Sequence, residues 1–140
     1  MEIDRNGLEV LDRDECLRLL DRATLGRVAV TTAALPTVLP VNFRLAGDRI
    51  VFRTGEGTKL AAATRNAVVA FEVDDFDSVD HTGWSVVVTG VARPVVGPDA
   101  QAALSDLGIA RWAPGANGHL VEVSLELVSG RRVPPGLPQG

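Results

Sequence analysis

The β-type runs of this chain are mostly joined by connections too short to carry a helix back across a sheet, and that restricts the fold before anything else is weighed. Thr37 to Leu45 is followed by Ala46-Gly47-Asp48 and then Arg49 to Arg53, a spacing that only a hairpin satisfies. Further runs at Arg27 to Thr32, Ala67 to Val73, Gly83 to Val96 and His119 to Val128 bring the total to about six. Strand and helix do not alternate regularly, which argues against a parallel α/β sheet. The expected fold is mainly β, an antiparallel barrel with small covering helices.

Leu11 to Arg22 reads as the first helix. Asp12 can cap it, Glu15 can reach back to complete a capping box, and Leu11 with Cys16 suits a hydrophobic staple. Cys16, Leu17, Leu19 and Leu20 then form its buried stripe, and Gly26 ends the unit. Thr58 to Arg65 is a helix too short to stand without packing on the sheet, and Asp99 to Leu107 reads as a third. Pro36 and Pro40 confine their backbone to edges, bulges or strand starts, and Gly90 is read as a bulge. In His119 to Val128 a mostly polar face with Leu120, Glu122, Ser124 and Glu126 alternates with Val121, Val123, Leu125 and Leu127, the pattern of a half-buried strand. The acidic run Asp74, Asp75, Asp77, Asp80 reads as a solvated loop, since it lacks the ligand alternation, glycine and terminal glutamate of a calcium loop. Residues 1–133 are expected to form one domain and 134–140, with three prolines, a flexible tail.

With 46% apolar residues and a mean hydropathy of +0.15, a chain of 140 residues can fill a core and still have apolar surface to bury against a second subunit. Its net charge of −4, with no cluster of Lys and Arg, argues against nucleic acid. Cys16 is the single cysteine, so no internal disulfide or zinc set is available and a reducing, cytoplasmic compartment is expected. Glu2, Asp4 and Arg5 precede any apolar run, unlike a signal peptide, and no stretch approaches the roughly 20 apolar residues of a membrane span.

The segment from Val51 to Ala61, Val-Phe-Arg-Thr-Gly-Glu-Gly-Thr-Lys-Leu-Ala, carries the chemistry. A β run ends in a turn rich in Gly and Thr, and a cation opens an Ala-rich helix. Free N–H groups at a helix start, close approach over glycine, and the charges of Arg53 and Lys59 with the hydroxyls of Thr54 and Thr58 suit a phosphate. The same order of strand, turn and capped helix also occurs in domains with no ligand.

Taken with Pro40-Val41-Asn42-Phe43, Phe71-Glu72-Val73-Asp74 and Gly83-Trp84-Ser85-Val86-Val87-Val88-Thr89-Gly90, this segment resembles the pyridoxamine 5'-phosphate oxidase-like FMN-binding split-barrel family. It is most similar to the short branch that includes the nitroimidazole-resistance-type flavoproteins. The resemblance implies a split barrel, a homodimer with cofactor sites at the subunit interface, and FMN as cofactor. It lays Pro40, Val41, Asn42 and Phe43 along the flavin ring, gives the phosphate to Arg53, Thr54, Thr58 and Lys59, and brings Trp84 and Ser85 to the flavin from the partner. Trp84 could equally be core packing, and Asn42 could cap a backbone group. Arg131 and Arg132 lie near the family's site-closing arginine but read first as a solvated surface pair.

The expected activity is an oxidoreductase acting on an unidentified small molecule, with no metal and no identified catalytic acid or base. Neither His81 nor His119 belongs to a triad or metal arrangement. Pyridoxamine-phosphate oxidation itself is not expected: the chain has no tyrosine, the segment after Glu72 is acidic where a phosphate clamp is wanted, and Leu60 stands where those oxidases carry a second cation. A deazaflavin cofactor, haem on His81 or His119, or a flavin-storage module are the alternatives.

Overall fold

The chain begins with two short strands that sequence pattern did not reveal, β1 (Glu2–Ile3) and β2 (Glu9–Leu11), joined by a turn in which Asp4 accepts from the N–H groups of Asn6 and Leu8. The computed structural model describes residues 1–55, 58–105, 107–109 and 119–135. Helix α1 (Arg13–Arg22) is capped by Asp12, whose carboxylate accepts the Glu15 N–H at 2.8 Å. The reciprocal arm of the expected capping box is not made, because the Glu15 carboxylate turns instead to Arg18 and Arg132. Cys16, Leu19 and Leu20 are buried as the stripe requires, and burial raises the Cys16 thiol pKa, so this sulfur is packing rather than a nucleophile. The helix ends at Ala23, not Gly26. Gly26 lies inside the next strand, where a Cβ would stand 2.5 Å from the Phe71 ring.

Strands β3 (Leu25–Thr32) and β4 (Leu35–Ala46) form a long hairpin closed by Ala33 and Ala34, and Gly47-Asp48 joins β4 to β5 (Arg49–Thr54). Then come α2 (Lys59–Ala63), shorter than the expected helix, β6 (Ala67–Asp77), β7 (Thr82–Pro94), α3 (Pro98–Ser105), β8 (His119–Ser124) and β9 (Leu127–Val133). Every pairing is antiparallel, in the order β1-β2-β9-β7-β6-β3-β4-β5-β8, and a further β7–β8 pairing closes the last six into a barrel. The predicted antiparallel barrel is therefore present.

Further expectations are corrected. The acidic run is not a loop: Asp74, Asp75 and Asp77 continue β6 opposite Ser85, Trp84 and Thr82, and of the four only Asp80 sits in the turn. Pairing along the whole of β7 outweighs the poor strand propensity of Asp, and Arg27 neutralises part of the charge. The run His119 to Val128 is not one strand. It breaks at Leu125-Glu126, because β8 pairs with β5 and the end of β7 while β9 pairs with β2 and its beginning. Gly90 stands at that fork and is paired with Val69 rather than bulged out. A Cβ there would lie 1.8 Å from the Ser124 carbonyl oxygen, so only glycine lets β8 cross so close.

The main core fills the barrel around Phe43, Phe52 and Phe71, all fully buried. Phe43 meets Phe71 edge-on at 4.9 Å and Phe52 stacks on Phe71 at 6.2 Å. Each such ring contributes about 1.5–3 kcal/mol by burial. A second cluster, Val51, Val95, Leu104, Ile109 and Leu120, joins the outside of the barrel to α3, which is why Leu120 is buried although alternation puts it on the polar face. The tail expected over 134–140 lies outside the described residues except for Pro134 and Pro135.

Candidate functional site

β4 and β5 pair from Ala46–Arg49 up to Phe43–Phe52 and then separate. Beyond that point β5 continues with β8, Arg53 opposite Leu120 and Thr54 opposite His119, while Leu35 to Asn42 pair with β3 alone. The barrel is thus split between the Pro40–Asn42 edge and the Arg53–Thr54 end. Both prolines of β4 lie on the stretch that β5 leaves unpaired, where a missing N–H on the open side costs no ladder bond. Phe43 donates its N–H to the Thr24 carbonyl at 3.0 Å, on the β3 side, so strand alternation turns the Asn42 N–H toward the open edge.

The split brings most of the predicted residues together, in unequal roles. Val41 and Phe43 are buried in the core, and Pro40 and Asn42 face outward. Arg53 and Thr54, as strand neighbours, point to opposite sides. Arg53 is half-buried and gives its Nε to the Ile109 carbonyl at 3.2 Å, with no other partner among the described residues. Thr54 is 2% exposed, and its Oγ1 has no hydrogen-bond partner among the described residues, a condition that costs about 1–3 kcal/mol. The single donor of the Thr58 hydroxyl is taken: it donates to the Gly55 carbonyl while accepting the Ala61 N–H as the cap of α2. Lys59 is exposed at the start of α2 and forms no ion pair among the described residues.

Trp84 and Ser85 do not join this opening. Following the strand ladder from Asn42 through Leu25 and the level of Asp74 to Ser85 crosses about 14 Å of sheet. Trp84 packs against the main core, and Ser85 faces outward. Arg131 and Arg132 are not a free surface pair either. Arg131 bonds Asp4 at 3.0 Å and Arg132 bonds Glu15 at 2.9 Å, fastening β9 to the N-terminal segment.

Sequence reading missed two groups of charges. On the outer face of β3 and β6, Arg27 bridges Glu72 at 3.1 Å and Asp74 at 2.9 Å. Burial first, and the adjacent Asp74 carboxyl second, push the Glu72 pKa up from 4.5 to about 7, against the pull of Arg27. Period-two spacing of 72 and 74 would have placed the acids on one face, but not Arg27 across from them. The second group, Arg65 and Arg93, borders a cavity of about 640 Å³ between α2, the end of β7 and the start of β8, into whose wall Thr54 is built. No signal in the sequence joins residues so far apart.

The sequence profile of the pyridoxamine 5'-phosphate oxidase family matches residues 12–132. The chain belongs to that family. A relative in Mycobacterium tuberculosis, an uncharacterized protein, is 41% identical over 128 residues, covering 88% of this chain and 84% of its own. Among solved structures, a protein from Mycobacterium smegmatis described as FAD-binding superposes with a TM-score of 0.78 at 36% identity, over 90% of this chain and 100% of that one. A protein from Bacteroides thetaiotaomicron described as a 5-nitroimidazole antibiotic resistance protein gives 0.75 at 16% identity, over 89% and 87%, which shows the shared fold. Within this family of split barrels, the gap beyond Phe43–Phe52 is the structural feature on which a cofactor reading rests.

Proposed function

We propose that the protein binds a flavin nucleotide at the β4–β5 split. The observation that carries this is the juxtaposition of an unpaired, uncharged strand edge at Pro40–Asn42 with two cations, Arg53 and Lys59, that have no carboxylate partner among the described residues. The donor set fits the group: the Asn42 N–H meets ring heteroatoms, and the guanidinium of Arg53 and ammonium of Lys59 offset a phosphate dianion. Thr58 holds the start of α2 in place and so positions Lys59. FMN is the cofactor these residues suit; FAD is the second reading, supported by the FAD-binding description of the M. smegmatis relative.

Bound flavin supplies two-electron redox chemistry, so the chain itself needs only to bind, orient and exclude water, consistent with an oxidoreductase that lacks an evident catalytic triad. Trp84 and Ser85 can reach such a site only from a second copy, and the outer sheet offers a face for one. Val38, Ala29, Ala70, Thr89 and Leu127 stand opposite one another across β4, β3, β6, β7 and β9, with Val38 61% and Leu127 68% exposed at the ends. A row of small and apolar groups about 19 Å long would be covered in a homodimer.

Absorption spectroscopy of the purified protein, followed by titration with FMN and FAD, tests the reading. Saturable quenching of one flavin per chain is expected. No binding of either nucleotide, or a Soret band in place of flavin maxima, overturns it.

A further inference from the structure

The cavity beside Thr54 differs in charge from the rest of the molecule. The protein carries a net charge of −4, yet among the described residues no Asp or Glu lines this space, while Arg65 and Arg93 both do. Neither guanidinium has a hydrogen-bond or ion-pair partner among the described residues. Arg93 stands opposite Glu122 in the β7–β8 ladder, but that carboxylate is taken by Arg49. The second signal is Thr54, built into the wall and 2% exposed, whose hydroxyl has no hydrogen-bond partner among the described residues and would be satisfied by a polar ligand atom. Ala61, Pro94, Val95 and Val121 supply apolar wall, and about 640 Å³ falls within the roughly 300–1,000 Å³ of small-molecule sites.

We propose that this cavity is a binding site for a small organic anion, a phosphate or carboxylate head held by Arg65 and Arg93 with an apolar body against the Val95–Val121 wall. It is separate from the flavin position, because neither Arg53 nor Lys59 lines it. Guanidinium forks recognise either head bidentately, and the Thr54 hydroxyl offers a further polar contact.

Isothermal titration of the whole protein with phenyl phosphate and with benzoate, with and without saturating FMN, tests this, using inorganic phosphate and benzyl alcohol as controls. At least one of the two aromatic anions binds one per chain, more tightly than either control. Arg93→Gln and Arg65→Gln, both at exposed side chains, each weaken that probe about tenfold and leave the flavin titration unchanged. Lys59→Ala does the reverse, so failure of the flavin reading and failure of this one are told apart. The proposal is overturned if neither anion saturates by roughly 10 mM, if the arginine variants bind the probe as the wild type does, if benzyl alcohol or inorganic phosphate binds as well, or if flavin displaces the probe.

Discussion

Phe43 stands opposite Phe52 as the last pair between β4 and β5, and both rings are fully buried. The split in the barrel begins one residue further on. Core packing therefore fixes where the strands part, and so sets the distance between the open edge at Asn42 and the cations that follow Phe52.

That arrangement makes Lys59 a charge-specific contact. Lys59→Ala is expected to weaken FMN by roughly ten- to a hundredfold while changing riboflavin, which lacks the dianion, far less. Parallel fluorescence titrations of both ligands check it; equal losses would place Lys59 away from the phosphate.

Gly90→Ala is expected to cost more than about 3 kcal/mol or to prevent folding, since the new Cβ would lie 1.8 Å from a backbone oxygen that the β7–β8 junction holds in place. Urea denaturation measures it. A loss within about 0.5 kcal/mol would show that the barrel can open at this corner without penalty.

Ala33 and Ala34 close the β3–β4 hairpin at φ of 50° and 65°, where an L side chain is strained and Asn-Gly is preferred. The double change Ala33→Asn/Ala34→Gly is expected to raise stability by about 1 kcal/mol, the released strain being offset in part by the freer unfolded chain. An unchanged or lower urea midpoint would contradict the strain argument.

Glu72 gives stability a pH dependence. Its carboxyl binds a proton more tightly in the folded chain, with pKa raised from 4.5 to about 7, so its contribution is complete below about 4.5 and is lost as pH rises through about 7. Unfolding midpoints measured from pH 4.5 to 8 should decline across this window in the wild type and flatten in Glu72→Gln. The same slope in both proteins would assign the effect to another group.

Much of this protein was legible along the chain. The α1 stripe of Cys16, Leu19 and Leu20, the Asp12 cap, the Gly47-Asp48 turn and the antiparallel barrel follow from periods and turn chemistry that act over a few residues. The Arg53-to-Lys59 motif was visible for the same reason, because strand, turn and helix start are contiguous. Only the tertiary structure decided that Asp74 to Asp77 extend β6, that Leu125 breaks one strand into two, and that Arg131 and Arg132 tie down the N-terminal segment. Each of these depends on which strand lies alongside, an energy shared between residues distant in sequence. The meeting of Thr54, Arg65 and Arg93 around one cavity is of the same kind: no local propensity records it, since closure of the barrel by β7 and β8 creates the space they line.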